Sequence, residues 1–338
     1  MRLSYLGRYV LGPSAAVAML AGCGELQMPV GPPGAVEQTG VHAAHRGSWM
    51  LPEAKSQDLL YVANSADGAS GSGSVSVYNY PQGKLVGNLT GFTDPTGLCI
   101  DKSGDIFVAN SGGEKVVEYA HGGTTPIETL ADDGVPNGCA IDPTTGNLAV
   151  TNSCDGPIGS CFPSGSVLIF KRARGTPRVL RDQYGGQMFY CAYDKAGDLF
   201  VNSNGSPPSF AELPKSSAKF TRIALTLPKK NVYDPGGLQW VGEYLAVGIA
   251  DGNAVYQYSL NGSRARLVHT TWLRSIGYGN GTNQFWIEGS TVVAEELSTL
   301  QYNGYVKFYA YPGGGKPTKI LTKSLNNPFA AAISPAKT

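Results

Sequence analysis

A short strand motif recurs six times along this chain of 338 residues. The copies are DLLYVANS from Asp58, DIFVANS from Asp105, NLAVTNS from Asn147, DLFVNSN from Asp198, EYLAVGIAD from Glu243 and STVVAEE from Ser290. Successive copies lie roughly forty to fifty residues apart, which is the period of four-stranded propeller blades. The repeat therefore predicts an all-β fold, a six-bladed β-propeller.

The composition agrees with this fold and excludes one class of partner. The chain contains 45 Gly and 22 Pro, and only 15% of its residues are charged, which favours turns and strands over helices. Its 26 Lys and Arg residues balance 25 Asp and Glu residues, giving a formal net charge of +1. Nucleic-acid binding requires a clustered excess of positive charge, so we expect no nucleic-acid partner.

The second blade shows the internal pattern most clearly. Its four predicted strands are 97–101, 105–110, 115–119 and 126–130. In blade four the last strand is predicted within FTRIALT, residues 220–226. Blade one lacks an inner strand before Asp58, and the C-terminal segment 327–334 matches the missing motif. We therefore expect the C-terminal strand to complete blade one and close the ring, which protects strand edges.

The N-terminus resembles a bacterial lipoprotein signal peptide. Arg2 and Arg8 precede a short apolar stretch, and Leu20-Ala21-Gly22 stands before Cys23 as in a lipobox. The apolar stretch is too short to span a bilayer, which needs about 20 apolar residues. The resemblance implies cleavage before Cys23 and lipidation of its sulfur, whereas an ordinary cleaved signal with an incidental cysteine is the alternative.

These features predict three regions and a location. They are a signal peptide at 1–22, a flexible tether at 23–57 and the propeller at 58–334. The tether is rich in Pro and Gly and has no periodicity. Its apolar part, 48–52, is expected to pack against the outer side of the propeller. We expect the protein to be exported and held by lipid on the bacterial cell envelope, with the membrane as a partner through Cys23.

Six cysteines are ordinary for an exported chain. Cys154 and Cys161 flank a short loop between two strands of one blade, and we predict a disulfide between them. Cys99, Cys139 and Cys191 lie instead in apolar strands and are predicted to be buried small hydrophobes rather than metal ligands or nucleophiles.

Over 58–334, the repeated pattern GLxID, G(D/N)LFVANS and VxVY resembles the NHL-repeat and regucalcin/gluconolactonase-like six-bladed propellers. The lactonase-like relatives hold a divalent metal in the channel with Glu, Asn and Asp side chains. Asn137, Glu295 and Glu296 match part of that set. The first inner strand, however, offers no Glu and the later blade has no NGxxxD element. We therefore expect no cofactor, with a divalent cation in the channel as the open alternative.

Polar residues follow the second strand of several blades. Chain direction places these residues and the inter-blade loops on one face, around a mouth of the central channel, where ligands commonly bind. The alternative is that each Asn only caps its strand. The predicted binding residues are Asn64, Asn110, Asn137, Asn152, Asn204, Glu295 and Glu296.

The sequence favours a binding protein over an enzyme. We expect a membrane-anchored propeller that binds a protein or a small molecule at this loop-rich face. A metal-dependent, lactonase-like hydrolase at the channel mouth is the alternative. Asp101, Asp142 and Asp194 are predicted as β-turn residues rather than calcium ligands. None of the four His residues falls on an inner strand, so acid–base catalysis by His is not predicted.

Overall fold

A computed structural model describes residues 47–65, 71–157, 164–181, 183, 186–204, 209–226, 235–250, 252–274, 283–296 and 304–337. The predicted signal peptide, the predicted lipidation site Cys23 and most of the predicted tether lie outside these residues, as does Cys161. The apolar part of the tether lies within them. No helix among the described residues is long and apolar enough to cross a membrane.

The first half of the chain forms three blades. Blade 1 begins with β1 (Trp49–Met50), β2 (Leu59–Asn64), β3 (Ser72–Asn79) and β4 (Leu85–Thr93). Blade 2 contains β5 (Pro95–Ile100), β6 (Ile106–Asn110), β7 (Lys115–Tyr119) and β8 (Pro126–Ala131). Blade 3 contains β9 (Pro136–Ile141), β10 (Leu148–Asn152), β11 (Ser166–Phe170) and β12 (Arg178–Leu180). Short 3-10 helices span Pro52–Ser56, Ser111–Gly113 and Lys171–Ala173.

The second half forms three more blades and returns to the first. Blade 4 contains β13 (Met188–Tyr193), β14 (Leu199–Ser203), β15 (Ser209–Leu213) and β16 (Thr221–Arg222). Blade 5 contains β17 (Ala224–Leu225), β18 (Pro235–Val241), β19 (Tyr244–Ile249), β20 (Ala254–Asn261) and β21 (Arg264–Trp272). Blade 6 contains β22 (Phe285–Glu288), β23 (Thr291–Glu296), β24 (Tyr305–Ala310) and β25 (Gly314–Leu321), and β26 (Pro328–Ser334) follows.

The six sheets form a closed ring, as the repeat predicts. Each blade has four antiparallel strands, and its innermost strand contacts the innermost strands of both neighbouring blades. In order around the channel these strands are β26, β5, β9, β13, β18 and β22, and β22 contacts β26 again. The chain is therefore an all-β, six-bladed propeller.

The C-terminal strand closes blade 1, which confirms the prediction from the sequence. β26 pairs antiparallel with β2, from Leu59 opposite Ser334 to Asn64 opposite Pro328. At the outer side of the same sheet, β1 pairs with β4, so the segment around Trp49 packs on the propeller as expected. Blade 1 thus takes its inner strand from one end of the chain and its remaining strands from the other.

One strand departs from the sequence prediction. Within FTRIALT, only Thr221–Arg222 pairs with blade 4, whereas Ala224–Leu225 forms β17 and runs parallel to β21 of blade 5. Phe220 is buried between blades 3 and 4, and Ile223 is buried between blades 4 and 5. Because these two side chains fill different interfaces, the chain crosses from one sheet to the next.

The core consists of six apolar clusters, one at each interface between neighbouring blades. Alternate residues of a strand point to opposite faces of its sheet. In β2, Leu59 and Tyr61 therefore pack toward blade 2, while Leu60 and Val62 pack toward blade 6. The second strands are covered on both faces, which explains why their motifs are continuously apolar rather than alternating.

A disulfide joins the inner strands of blades 2 and 3. It links Cys99 in β5 to Cys139 in β9, with a Cα–Cα distance of 5.6 Å. Both cysteines are buried, as predicted, but the disulfide was not predicted from the sequence; it forms because their side chains meet in the cluster between the two blades. Cys191 is buried, as predicted, and free. Cys154 is disulfide-bonded, and its expected partner Cys161 lies outside the described residues.

Candidate functional site

A common strand register positions three of the predicted binding residues. Asn64, Asn110 and Asn152 end β2, β6 and β10, and each lies opposite the proline that begins its inner strand. A register shift accompanies each of these pairs. The repeat thus places the three amides at the same end of their blades.

Two of these amides, those of Asn64 and Asn110, form the hydrogen bonds expected of residues that cap a strand. The Asn64 Nδ2 donates to Ser76 Oγ at 3.0 Å, and its Oδ1 accepts the Asn326 N–H at 3.1 Å. The Asn110 Oδ1 accepts the Thr93 N–H at 2.8 Å. Both side chains are buried, so they fix their own loops rather than face an open mouth.

The other predicted binding residues form hydrogen bonds or ion pairs, each with a different partner. The Asn137 Nδ2 donates to the Phe189 carbonyl at 3.0 Å. Asn204 is exposed and exchanges hydrogen bonds with Gln187. Glu296 forms a buried ion pair with Lys307.

Glu295 is the most deeply buried carboxyl of this set. One oxygen accepts the Gln284 N–H at 2.5 Å, and the other has no hydrogen-bond partner. Burial raises the pKa of Glu295 well above its usual value. Within the part of the chain that the structure describes, no three His, Cys, Asp or Glu side chains come together as metal ligands.

The central channel is crossed by a side chain. Gln284 precedes the inner strand of blade 6, and its amide donates to the Leu98 carbonyl at 2.7 Å and accepts the Leu98 N–H at 3.1 Å. Leu98 belongs to the inner strand of blade 2, and blade 1 stands between these two blades, so the amide bridges the channel. The channel retains a cavity of about 200 Å³, lined by inner-strand residues.

A much larger cavity opens at the opposite mouth, where the inner strands end. Its volume is about 830 Å³, within the range of small-molecule sites. Apolar residues at the channel axis form its floor, and charged residues of blades 2 and 3 form its wall. The floor includes Ile100, Ile141, Ile333 and Trp286, and the wall includes Asp101, Asp105, Glu118, Asp142, Arg172 and Arg174.

An ion pair holds the wall between blades 2 and 3. The buried carboxylate of Glu118 accepts a hydrogen bond from Arg174, whose Nε also lies 3.6 Å from Glu128 Oε2. Burial raises the pKa of Glu118, and the guanidinium opposes this shift. Arg172 has a left-handed backbone with φ of 50°, and its N–H donates to Asn147 Oδ1 at 3.0 Å. The two arginines are thus held at the wall by local contacts.

The acidic residues of the wall confirm the predicted β-turns. The Asp101 Oδ1 accepts the N–H groups of Ser103 and Asp105, both at 2.8 Å. The Asp142 Oδ1 accepts the Thr144 N–H at 2.8 Å and its hydroxyl at 2.6 Å. Asp194 makes the equivalent bonds in blade 4. The carboxylates of Asp101 and Asp142 are held in place by their own loops and give the cavity a fixed polar rim.

The sequence interpretation missed this cavity because it looked for polar residues at the other end of the blades. Two signals could have pointed to it. Glu118 is a charged residue between the apolar Val117 and Tyr119 in the third strand of blade 2, and the basic segment 171–174 follows the third strand of blade 3. In a chain with few charges, opposite charges near the same strand of neighbouring blades indicate a contact between them.

Comparisons with known proteins support the fold but identify no family. The sequence matches no family model, and no curated protein is similar to it. The chain is similar to a chain in the crystal structure of a nidogen/laminin complex, with a TM-score of 0.58 and 14% identity, covering 83% of this chain and 99% of that one. It is also similar to a protein of unknown function from Bacteroides caccae, with a TM-score of 0.61 and 12% identity, covering 82% and 99%.

Proposed function

We propose that this chain is an exported, lipid-anchored propeller that binds a small molecule in the 830 Å³ cavity. The observation that carries the proposal is this cavity at the channel axis, which joins an apolar floor to a rigid charged wall. A few fixed polar groups around an apolar surface are the usual composition of a small-molecule site.

The lining indicates the chemistry of the ligand. Trp286 and the isoleucines offer a surface for a ring or an aliphatic face. The wall offers four carboxylates as acceptors and two guanidinium groups as donors, which suits an uncharged or zwitterionic molecule with several hydrogen-bonding groups. A cyclic polyol or a sugar has this combination of an apolar ring face and a polar edge.

The test is a binding screen with tryptophan variants. Mono- and disaccharides, free amino acids and nucleosides are screened against the full-length protein by saturation-transfer NMR, and hits are measured by calorimetry. Trp286→Ala is expected to weaken binding at least tenfold. The matched control is Trp272→Ala, because Trp272 is 49% exposed and lies outside the cavity.

A second variant addresses the charged wall. Arg172→Asn removes the guanidinium while Asn tolerates the left-handed backbone at this position. We expect it to weaken a ligand found in the screen without lowering the melting temperature by more than a few degrees. Hits that bind all three variants equally would place the ligand elsewhere, and a protein partner would then have to be sought at the loop-rich face.

The proposed location rests on separate support. A disulfide between two blades fits a protein that folds in an oxidising compartment. The lipobox-like residues before Cys23 supply the membrane partner in this proposal. Expression with radiolabelled palmitate in a bacterial host is expected to label the wild type and not Cys23→Ser. Equal labelling of both proteins would contradict the anchor while leaving the cavity proposal intact.

The geometry favours binding over the lactonase-like alternative. That activity would need Asn137, Glu295 and Glu296 to converge on an open mouth of the channel. Glu296 is instead paired with Lys307, and Gln284 crosses the channel beside Glu295. The alternative can be tested with a panel of lactones. If the wild type hydrolyses one of them and Glu295→Gln does not, the lactonase-like function would be supported instead.

A further inference from the structure

A second cavity lies in the groove between the outer parts of blades 2 and 3. Its volume is about 300 Å³, and it shares no lining residue with the larger cavity. The end of β8 and the linker after it form one side, and β11 and β12 form the other. The residues that the argument uses are Asp132, Asp133, Gly134, Asn152, Asp155, Ser166 and Arg181.

Asp132 is fixed in this groove with one oxygen unused. It is 3% exposed, and its backbone N–H donates to the Glu114 carbonyl at 3.0 Å. Its Oδ1 accepts the Gly134 N–H at 2.9 Å and the Asn152 Nδ2 at 2.7 Å. Its Oδ2 is buried and has no hydrogen-bond partner. A buried carboxylate oxygen without a partner costs free energy, so a missing donor or cation is indicated.

Asn152 supplies an independent second observation. It is 1% exposed, and its Oδ1 is also buried without a partner. The equivalent amide oxygens of Asn64 and Asn110 each accept a backbone N–H from a residue two positions before the inner strand of their blade, Asn326 and Thr93. In blade 3 the amide nitrogen is directed to Asp132 instead. Two side chains that are hydrogen-bonded to each other thus each keep one buried acceptor oxygen without a donor, whereas the amide oxygens of Asn64 and Asn110 have one.

The charge of the groove selects a cation. Three carboxylates line it, from Asp132, Asp133 and Asp155, against the single guanidinium of Arg181. Arg181 is already paired with Asp155, with Nε 2.6 Å from Oδ2. A carboxylate and an amide oxygen are ligands that hard cations such as Ca²⁺ prefer, whereas Zn²⁺ favours nitrogen and sulfur.

The neighbouring residues keep this space available. Ser166 lies opposite Asn152 in the strand register and lines the same groove with a hydroxyl-bearing side chain. A Cβ at Gly134 would clash with the Asn152 amide and lie 2.6 Å from the Cys154 carbonyl oxygen. Only glycine therefore allows the linker to pass this close to Asn152.

We propose that Asp132 Oδ2 and Asn152 Oδ1 bind a hard metal cation, with Ca²⁺ as the ion to test, in the groove between blades 2 and 3. The site goes beyond the proposed small-molecule function and stands apart from the channel. Because it has one fully buried carboxylate, its affinity should resemble that of extracellular calcium modules, with a Kd of about 10⁻⁴–10⁻³ M. Its role would be to tie the linker of blade 3 to the end of β10.

The experiment uses the full-length chain in detergent, freed of metal with a chelator and exchanged into a choline chloride buffer. Titration with CaCl₂ by calorimetry is expected to give one ion per chain and a raised melting temperature. NaCl and MgCl₂ titrations identify a different hard cation at the same place. Asp132→Asn is expected to weaken Ca²⁺ binding at least tenfold.

The matched control is Asp94→Asn. Asp94 is a half-buried carboxyl in the corresponding linker of blade 2, and its φ of 55° suits asparagine. It should bind Ca²⁺ as the wild type does. If Asp132→Asn fails to fold by circular dichroism, Asn152→Ser replaces it, because Ser203 occupies the equivalent position of blade 4. This variant should also bind at least tenfold more weakly.

Two results would overturn the site. One is a wild type that binds none of these ions stoichiometrically at millimolar concentration. The other is equal Ca²⁺ affinity in wild type and variant. Burial raises the pKa of Asp132, so a proton on Oδ2 is the competing explanation. A metal-insensitive wild type that is no more stable than Asp132→Asn would establish that explanation.

Discussion

Asp142 shows how a single turn residue stabilises the rim of the large cavity. Thr144 and Thr145 donate backbone and hydroxyl hydrogen bonds to its two oxygens. Burial of the side chain opposes ionisation, but these hydrogen bonds outweigh it and lower the pKa of Asp142 below 3.8. The folded protein therefore binds this proton less readily than the unfolded chain does.

The lowered pKa predicts a pH-dependent effect of Asp142→Asn. The ionised form stabilises the fold above the pKa of an unfolded Asp side chain, and this contribution is lost as the pH falls through the lower pKa of the folded state. The variant should melt below the wild type at pH 7, and the gap should close toward pH 3. Thermal melts across this range test the prediction, with the exposed Glu53→Gln as control. A gap that stays constant with pH would contradict it.

Lys307 and Glu296 form a pair whose members depend on each other. Their side chains are 1% and 8% exposed, and the ammonium also lies 5.2 Å from the Tyr305 ring centroid. Removing one member of a buried pair leaves an uncompensated charge, at a cost of about 3–5 kcal/mol. Lys307→Met should destabilise the protein by this amount in denaturant titrations.

The double variant separates the charge effect from packing. Lys307→Met combined with Glu296→Gln removes both charges, so it should be more stable than Lys307→Met alone. If the double variant is instead the less stable protein, the pair is not the reason for the loss. Such a result would return Glu296 to the list of residues available for binding.

The closing strand is the element on which the ring most depends. Ala330, Ala331, Ala332 and Ile333 of β26 are buried, and they contribute to the interfaces with both neighbouring blades. Deleting residues 329–338 should expose the edge of β2 and open both interfaces. We expect the melting temperature to fall by more than about 10 °C, since several kcal/mol of burial are lost.

A shorter truncation provides the control for this experiment. Removing only residues 337–338 leaves the whole of β26 in place and should change the melting temperature little. Differential scanning calorimetry of the two truncated proteins makes the comparison. If the longer truncation melts with the wild type, β26 does not close the ring in solution.

The sequence predicted elements well where local pattern decides them. Residues 59–63 are apolar because both sheet faces are covered, and all six copies of the motif form strands. The exception near Ile223 arose from a choice between two interfaces, which no local pattern records. A short segment of sequence thus determines whether a strand forms there. The sheet that the strand joins depends on which interface between blades its side chains fill.

At the scale of the whole molecule, the two ends of the blades differ in a way the sequence did not reveal. The amides at one end were visible as a repeat, but Asn64 and Asn110 are used as caps. The cavity at the other end depends on Trp286, Glu118 and Arg174, which lie in three different blades. The Gln284 bridge to Leu98 likewise joins residues 186 positions apart. Contacts of this range leave no local signal.

The disulfide between Cys99 and Cys139 joins two neighbouring blades of the ring covalently. The two cysteines are 40 residues apart, and they occupy positions on neighbouring inner strands that differ by one step in register, so that they face each other. A crosslink of this length restricts the unfolded chain, and the chain-entropy model gives about 4 kcal/mol of stabilisation.

The double variant Cys99→Ala/Cys139→Ala should therefore unfold at a clearly lower guanidinium concentration than the wild type, by an amount corresponding to about 2–4 kcal/mol. Cys191→Ala is the matched control, because Cys191 is equally buried on the inner strand of blade 4 and forms no disulfide. It measures the cost of losing a buried sulfur alone. If the double variant loses only twice as much stability as Cys191→Ala, the disulfide does not stabilise the protein, and the stability of the ring comes from the interfaces between blades.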